Sequence, residues 1–551
     1  MPFNDLQNTL LNKSLKRQQS VNPINVAIVG PCSASLLTLG TVYQGISASN
    51  VLPTLGMGKG AELAQFLLNS GLPSVDVYPT APAASDNGVI SGSVGLMVHT
   101  GSGTPTLTLA LSTAVLDDYI IRAEVIALVT SGFVIRISYD DGISWAQTLT
   151  ITSTTAQNLY VRLPNDTTNR VSAGLTITAS VATGAVVGDV YTAWTFGPGI
   201  GVTAATAGMI PDAFNKLFNV GKKYTHILIA CPNTGVLSTT TDATNITASS
   251  TLVNAVITQL ALVRASGLYC EAWVPAPRQA ALADECTSAA GLALQPAIVS
   301  GLLGSWNNRT AISYGYTLQQ SLGSCNMWRP VFWSAMQRQI QQGPGVFVYR
   351  SSDGPVNMIT PGQTPVAATS TGNVATVLTY TGILGTGSTF DERSDSLGTS
   401  TGYMSGNGFL TLTTIIEAPN PGSYYFANAN AHCDPTDDYF ELQYCLLMDI
   451  FMTLADQVLF ANYKGQNLAH KQDGSGQLTA NQATSIQDFF TQEMSLLMVE
   501  PGWIPPAQPG NSFADVDQTT NFVSTQKLSG KYGFWPPTGV KLFSNAFSLN
   551  L

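Results

Sequence analysis

The sequence is poor in charge. Of its 551 residues only 10% are Asp, Glu, Lys or Arg, against about a quarter in typical soluble proteins. The 33 acidic residues outnumber the 23 basic ones, for a formal net charge of -10 at pH 7. A chain with this balance lacks the positive field that holds a phosphate backbone, so we expect no nucleic-acid partner. Weak charge also means weak repulsion between copies of the chain.

Long apolar runs are missing as well. No window approaches the roughly 18 consecutive apolar residues that a membrane helix needs, so we expect no membrane insertion. Residues 1–20 contain bases but neither a continuous apolar segment nor a small-residue cleavage site, and we expect no secretory signal. At this length the chain exceeds what one hydrophobic core usually supports, and several domains are predicted.

The residues that most often carry chemistry are few. There are four histidines, no HExxH motif and no CxxC pair. The seven cysteines are widely spaced, as expected of buried thiols; because their number is odd, cross-links between subunits stay an open alternative. They are Cys32, Cys231, Cys270, Cys286, Cys325, Cys433 and Cys445.

Two glycine-rich segments look superficially like nucleotide-binding loops. GPCSAS, from Gly30, lacks the GxGxxG pattern, and in GMGKGAEL the lysine Lys59 is followed by Gly60 rather than by Ser or Thr. The hydroxyl that would bind magnesium is therefore missing. We interpret both segments as plain connections and predict no cofactor.

Two clusters of polar residues are candidate sites. The first could hold a metal, but Asp437 and Asp438 fit a helix N-terminus better, so no metal site is predicted. The second, in a loop, is typical of a salt-bridge cluster, with a paired-carboxylate glycosidase site as the remote alternative. No catalytic residue is assigned. The first cluster is His432, Cys433, Asp434, Asp437, Asp438, Glu441 and Cys445, and the second is Asp391, Glu392, Arg393 and Asp395.

Hydrophobic periodicity predicts a multi-domain α/β (α+β) protein. Strand, helix and strand follow one another in NVAIV, GAELAQFLLN and VDVYP, and the rhythm returns in THILIACP, TLVNAVITQLALVRASG and LYCEAWVP. Period-two runs between them, with a turn at Asp141 and Gly142, predict an inserted antiparallel β-sandwich. It should be peripheral and removable, because both its ends lie in connections rich in Gly and Pro. Two long helices are predicted near the C-terminus, the second beginning at Thr479.

These elements predict five segments. They are an N-terminal arm (1–24), an α/β core (25–80 and 202–371), the inserted β-sandwich (81–201), a C-terminal domain with the two long helices (372–530), and a C-terminal arm (531–551).

The stretch LPTLGMGKGAELAQFLLNSGLPSVDVYPTAPAASDNGVISGSVGLMV resembles contractile bacteriophage tail sheath proteins. That family places a glycine-flanked helix start, a helix and a strand with proline before a β-rich insertion. KYTHILIACPN and LYCEAWVPAP look like the family's paired core strands, VFVYRSSDGPVNMITPGQT like its hairpin, and the C-terminal third also fits.

The resemblance implies a structural, non-enzymatic subunit of the virion tail that is assembled in the host cytoplasm. Such subunits form helical stacks of rings around a tail tube and contract to drive the tube through the host envelope. The implied partners are other copies of the chain and the tail tube, baseplate and tail terminator proteins. Two alternatives stay open: another virion protein (tail tube, baseplate or decoration subunit) and a carbohydrate-active depolymerase. A host-binding role for the β insertion is also open.

The last residues predict an exchanged strand. On one face of the alternating segment 540–551 lie Phe543, Phe547, Leu549 and Leu551. We expect this strand to pair with a neighbouring subunit's sheet. The alternative is that it completes the sheet of its own subunit.

Overall fold

The computed structural model describes residues 24–34, 37–80, 89–90, 92–162, 170–200, 209–219, 222–230, 243–276, 298–302, 307, 309–314, 316–323, 325–345, 407–414, 424–426, 430–433, 440–507 and 512–534. It is a mixed α/β structure with several sheets. By its internal contacts the chain divides into two compact units. The main unit comprises Asn25–Gln341 and Val348–Leu442, and the C-terminal unit comprises Met1–Ile24, Gln342–Phe347 and Gln443–Leu551.

The strands are β1 Val26–Pro31, β2 Tyr43–Ile46, β3 Val75–Thr80, β4 Val89–Ile90, β5 Ser93–Val94, β6 Val98–Thr100, β7 Leu107–Leu111, β8 Ile120–Val129, β9 Gly132–Ser138, β10 Gln147–Ile151, β11 Gln157–Arg162, β12 Val171–Ala179, β13 Val190–Phe196, β14 Gly199–Ile200, β15 His226–Ile229, β16 Glu271–Pro275, β17 Thr310–Ser313, β18 Tyr316–Gln320, β19 Asn326–Pro330, β20 Phe409–Leu410, β21 Leu412–Thr414, β22 Tyr424–Phe426, β23 Ala514–Val516 and β24 Gly530–Tyr532. The α-helices are α1 Val51–Leu55, α2 Lys59–Asn69, α3 Met209–Asn219, α4 Ala243–Ala265, α5 Phe332–Gln342, α6 Leu442–Tyr463, α7 Ala480–Met494 and α8 Phe522–Thr525, and a π-helical turn, Ser495–Val499, continues α7.

A seven-stranded sheet forms the centre of the main unit. Its order is β2-β3-β1-β15-β16-β17-β20, and every pair is parallel except β2 with β3. Strands β1 and β3 are buried along their whole length, as expected of parallel strands that are covered on both faces. The predicted strand–helix–strand start, β1, α2 and β3, is thereby confirmed.

Helices cover both faces of this sheet. On one face the side chains of Val29, Ile229 and Val274 share a hydrophobic core with α3 and α4. On the other face Trp273 of β16 packs edge-on against Phe332 of α5, with 6.4 Å between ring centroids. Helix α4 ends as the sequence predicted, before Gly267, which has a positive φ of 75°.

Along the chain, strands β5 to β13 come after β3 and before β15 of the parallel sheet. They pair antiparallel. One sheet has the order β10-β9-β8-β13-β5, with β6 also on β13, and the other has the order β11-β12-β7. Alternate residues of β13 are buried, as the period-two pattern predicted. The turn that ends β9 has positive φ at both Asp141 and Gly142, at 56° and 90°, the conformation favoured for a tight hairpin. Residues 89–200 are called the antiparallel region below.

The core of the antiparallel region includes side chains from outside it. Its two sheets share one hydrophobic cluster, and this cluster also contains Met57, Cys325 and Met327. These three side chains come from before α2 and from the hairpin β18–β19. Whether residues 81–201 can be removed without harm to the rest of the chain therefore depends on these shared contacts, and the expectation stays a prediction.

The C-terminal unit is built on α6 and α7. Thr479 caps α7, because its side chain accepts a hydrogen bond from the backbone of Gln482 at 3.2 Å, which confirms the predicted start of this helix. Phe451 of α6 lies at the centre of the core and contacts the rings of Phe490 and Phe513. The two-stranded antiparallel sheet β23–β24 belongs to the same unit.

Candidate functional site

The glycine-rich loops after β1 and before α2 pack closely against each other. A Cβ on Gly30 would lie 2.6 Å from the Cβ of Ala230, and one on Gly58 would lie 2.6 Å from the carbonyl oxygen of Pro31. Glycine is therefore needed here for the approach of the chain segments. The Lys59 side chain is 5% exposed and forms an ion pair with Asp118. This geometry agrees with the interpretation of both segments as structural connections.

The structure describes only part of the two polar clusters that the sequence offers as candidate sites. His432 is buried, and its Nε2 lies 3.0 Å from the carbonyl oxygen of Leu302. Its backbone N–H donates to Thr310, which lies at the start of β17. Among the described residues no group of three or more His, Cys, Asp or Glu side chains is arranged to hold a metal. Residues 434–439 and 391–395 lie outside the described part of the chain.

A buried ionic cluster joins three parts of the main unit. It consists of Lys59 and Glu62 of α2, Asp117 and Asp118 from the segment before β8, and Arg329 of β19, and none of these residues is more than 8% exposed. Lys59 Nζ lies 2.8 Å from Asp118 Oδ2. Arg329 donates two hydrogen bonds to the Asp117 carboxylate, at 2.9 and 2.7 Å. Such two-point contacts combine strength with a fixed geometry. No motif in the sequence predicts this cluster, because its members come from three segments that are far apart in the chain.

Glu62 has no comparably close cation. Its nearest one is Arg329, whose Nη2 lies 3.9 Å from Glu62 Oε2. Its close contacts are neutral donors: the Ser321 hydroxyl at 2.7 Å and the Leu322 backbone N–H at 2.8 Å. Burial raises the pKa of Glu62 to about 7, although Arg329 partly opposes this shift.

A second acid with a raised pKa lies in the turn that follows β9. Burial raises the pKa of Asp141 to about 7, while Arg122, whose guanidinium lies 3.8 Å away, acts in the opposite direction. The preceding residue, Asp140, accepts a hydrogen bond of 2.9 Å from the backbone N–H of Asn326. The turn therefore fixes the antiparallel region to the start of β19.

A buried histidine lies in the parallel sheet, at the start of β15. His226 Nε2 is 3.7 Å from Glu271 Oε2, and its Nδ1 is 2.9 Å from the Thr225 hydroxyl. Trp273 donates a hydrogen bond to the same Glu271 oxygen at 3.1 Å. Burial lowers the pKa of His226 to about 3, so the ring is neutral at pH 7. Enclosed by the sheet, the pair is placed for packing rather than for contact with a substrate.

One end of the antiparallel region has an uncharged surface. The turns and loops 100–106, 126–132, 152–156 and 180–188 contain no Asp, Glu, Lys or Arg. Backbone hydrogen bonds hold the 180–188 loop to its neighbours: Gly188 donates to Val125, and Thr104 donates to Gly184. Behind the surface, the buried Asp189 carboxylate accepts hydrogen bonds from the backbone of Gly103 and Val186. Exposed apolar side chains at this end are Ile126, Leu128, Val129, Val181, Val186 and Val187. Grouped apolar exposure of this kind is typical of interaction surfaces.

The sheet β23–β24 in the C-terminal unit has two strands in the described part of the chain. Within the described residues neither strand has a second partner strand. Unpaired backbone groups on a strand edge can accept an added strand. The predicted exchange residues Phe543, Phe547, Leu549 and Leu551 lie outside the described residues.

Helix α6, Leu442–Tyr463, is the one helix in the described part of the chain that is long and apolar enough to cross a membrane by length and composition. Its buried side chains include Leu447, Phe451 and Val458, which belong to the core of the C-terminal unit. Packing in that core accounts for part of its apolar composition, because 44% of the apolar window is buried.

No protein-family model matches this chain, and no curated protein matches it. Solved structures do show similarity. A sheath tail protein from Listeria innocua has 10% sequence identity and a TM-score of 0.39, with 91% of this chain and 90% of that chain covered. A chain in the structure of the anti-feeding prophage baseplate has 10% sequence identity and a TM-score of 0.43, with 96% of this chain and 93% of that chain covered. A sheath tail protein is thus among the solved structures to which this chain is similar.

Proposed function

We propose that this chain is the structural subunit of a contractile tail sheath. It polymerises around a tail tube, and its contraction drives the tube through the host envelope. The observation that carries the proposal is the order of elements: β1, α2 and β3 begin a parallel sheet, the antiparallel region follows, and β15 returns to the same sheet. This is the order for which the sequence resembles the sheath family.

The surface chemistry supports a role in assembly. An uncharged apolar end, on a chain with 10% charged residues, can pack against another subunit with little desolvation of charge. Four charged residues of the ionic cluster, Lys59 with Asp118 and Arg329 with Asp117, are buried in close pairs within one chain, which suits a structural role. The two sheets of the antiparallel region form the inserted sandwich of this proposal, and residues 1–24 and 531–551 are its arms.

The C-terminal strand supplies a link between subunits. Residues 540–551, with Phe543, Phe547, Leu549 and Leu551 on one face, pair with an open sheet edge of a neighbour, for which β23–β24 is the acceptor. A subunit that gives one surface and receives at another forms a heterologous contact, as a helical tube requires. Backbone pairing can persist while the subunits rotate between two packed states.

The partners follow from this role. They are further copies of the chain, the tail tube protein, and the baseplate and tail terminator proteins, in a virion tail assembled in the host cytoplasm. Nucleic acid is not a partner, because the net charge of -10 opposes binding to a phosphate backbone.

Negative-stain electron microscopy of the purified chain, with sedimentation velocity over a range of concentration and salt, tests the proposal. The expected result is hollow tubes or stacked rings with a lumen wide enough for a tail tube. A chain that stays monomeric under all conditions contradicts it. Rings that never stack favour a baseplate or decoration subunit instead.

A further inference from the structure

The ionic cluster in the main unit carries an unequal number of charges. It contains two cations, Lys59 and Arg329, and three carboxylates, those of Glu62, Asp117 and Asp118. All five side chains are buried. A buried charge without a partner is strongly destabilising, and proteins usually neutralise such a group by proton uptake or release. With every carboxylate ionised, the cluster holds one negative charge in excess.

The distances identify the carboxylate in excess. Asp118 is matched with Lys59 at 2.8 Å, and Asp117 with Arg329 at 2.7 Å. Glu62 stands 3.9 Å from Arg329, which already gives two hydrogen bonds to Asp117. A proton on Glu62 would therefore balance the cluster at two positive and two negative charges.

Groups from every neighbouring element act on Glu62. Asp117 and Tyr119 come from the segment before β8, and Cys325 and Arg329 come from the hairpin β18–β19. Lys59, on the same helix as Glu62, is paired with Asp118. Burial raises the pKa values of Tyr119 and Cys325, so both are neutral near pH 7. The distances identify Glu62 as the group that takes up the proton, and its pKa is raised to about 7.

The cluster also spans the contacts that position the antiparallel region. Asp118 accepts a hydrogen bond from the backbone N–H of Gly197, at 2.7 Å, where the chain leaves that region. Glu62 accepts one from the backbone of Leu322, in the hairpin β18–β19. Helix α2 therefore holds both the antiparallel region and this hairpin through side chains whose charges depend on one another.

We propose that the ionic cluster is a proton-operated clamp, in which proton uptake by Glu62 tightens the attachment of the antiparallel region and of hairpin β18–β19 to helix α2. Loss of the proton leaves an uncompensated negative charge beside Asp117, and the attachment loosens. The clamp makes this attachment sensitive to pH. The inference does not depend on the proposed role in a tail sheath.

Hydrogen exchange read by mass spectrometry tests the clamp in the full-length chain. The wild type is compared with Glu62→Gln, which is neutral at every pH, between pH 5.5 and 8.5, with rates corrected for intrinsic chemical exchange. In the wild type, protection in peptides covering 117–122 and 321–330 should fall by at least about tenfold from low to high pH; a pKa rise from 4.5 to about 7 sets an upper limit of about thirtyfold over this pH range. In Glu62→Gln it should stay constant.

The matched control is Asp141→Asn. Asp141 also has a pKa raised to about 7 but lies outside the cluster, and asparagine tolerates its positive φ of 56°. This variant should keep the pH response of the 321–330 peptide. If protection of the cluster peptides in the wild type changes no more with pH than protection of a peptide covering α3, the proposal is overturned. This outcome does not depend on whether Glu62→Gln folds. A Glu62→Gln variant that responds like the wild type overturns it as well.

Discussion

Arg329 and Asp117 are 212 residues apart in the chain, yet the guanidinium donates two hydrogen bonds to the carboxylate at 2.9 and 2.7 Å. The pair joins β19 to the segment that enters the antiparallel region. Arg329 also lies over the ring of Trp333 in α5, 5.2 Å from its centroid. A single side chain thus connects the antiparallel region with two elements of the α/β part of the main unit.

Replacement of Arg329 by methionine should destabilise the main unit strongly. Removing one partner of a buried ion pair leaves the other charge uncompensated, which costs roughly 3–5 kcal/mol. Arg136→Met is the control, because Arg136 pairs with Glu124 at a more exposed site, where the two side chains are 36% and 21% exposed, and such pairs are worth at most about 1 kcal/mol. Urea denaturation measures both. Equal effects of the two variants would contradict the importance assigned to the buried pair.

Excision of the antiparallel region should prevent correct folding. A chain in which a short Gly-Ser linker replaces residues 92–198 keeps Lys59 and Arg329 but loses Asp117 and Asp118, so two buried cations remain without their closest partners. We expect insoluble protein. Excision combined with Lys59→Met and Arg329→Met should recover part of the solubility. A soluble, cooperatively folded product of simple excision would show that the region is separable after all.

Acid should destabilise the protein through His226. Its pKa is lowered from 6.5 to about 3 in the folded chain, so the unfolded chain binds the proton first. The stabilising effect of the neutral ring is full above pH 6.5 and is lost as the pH falls toward 3, by up to about 1.4 kcal/mol per pH unit. His226→Gln should therefore lower the rise of the urea midpoint with pH between 4 and 6.5, relative to the wild type. Burial also lowers the pKa of His432, which acts in the same direction as His226, whereas the raised pKa values of Glu62 and Asp141 act in the opposite direction in both proteins. Replacement of the exposed His470 by glutamine should leave the slope unchanged.

Two phenylalanines of helix α6 should respond very differently to truncation. Phe451 is fully buried and contacts the rings of Phe490, Phe513 and Phe534. Phe451→Ala should lower the free energy of unfolding of the C-terminal unit by about 3–5 kcal/mol, because it leaves a cavity. Phe460 is 62% exposed, and Phe460→Ala should change it by less than about 0.5 kcal/mol. Thermal unfolding of both variants gives the comparison, and similar losses would refute the assignment of the core.

The proposed exchange strand predicts a separation of folding from assembly. Deletion of residues 538–551 should leave the circular dichroism spectrum and the melting transition intact while polymers disappear from electron micrographs. Phe547→Asp should act in the same way, whereas Ser548→Asp, on the opposite face of the strand, should be tolerated better. A truncated chain that unfolds, or that still forms normal tubes, contradicts strand exchange.

Local pattern in the sequence determined the main secondary structure. The continuous apolar run at β1 predicted a strand, which is buried along its whole length. Thr479 predicted the start of α7, and Asp141 with Gly142 predicted the turn after β9. Each of these depends on residues close together in the chain, whose backbone preferences and hydrogen bonds are local.

The tertiary structure alone decided how charge is distributed in the interior. Lys59 looked like part of a phosphate loop, yet it is buried against Asp118, and Glu62 on an amphipathic helix faces Arg329 rather than solvent. The partners that fix these side chains are far away in sequence; for Glu62 and Leu322 the separation is 260 residues. Periodicity shows which face of an element is apolar, but it cannot show which distant segment covers that face. The attachment of the antiparallel region depends on that packing, because only there do the five charged side chains leave water together.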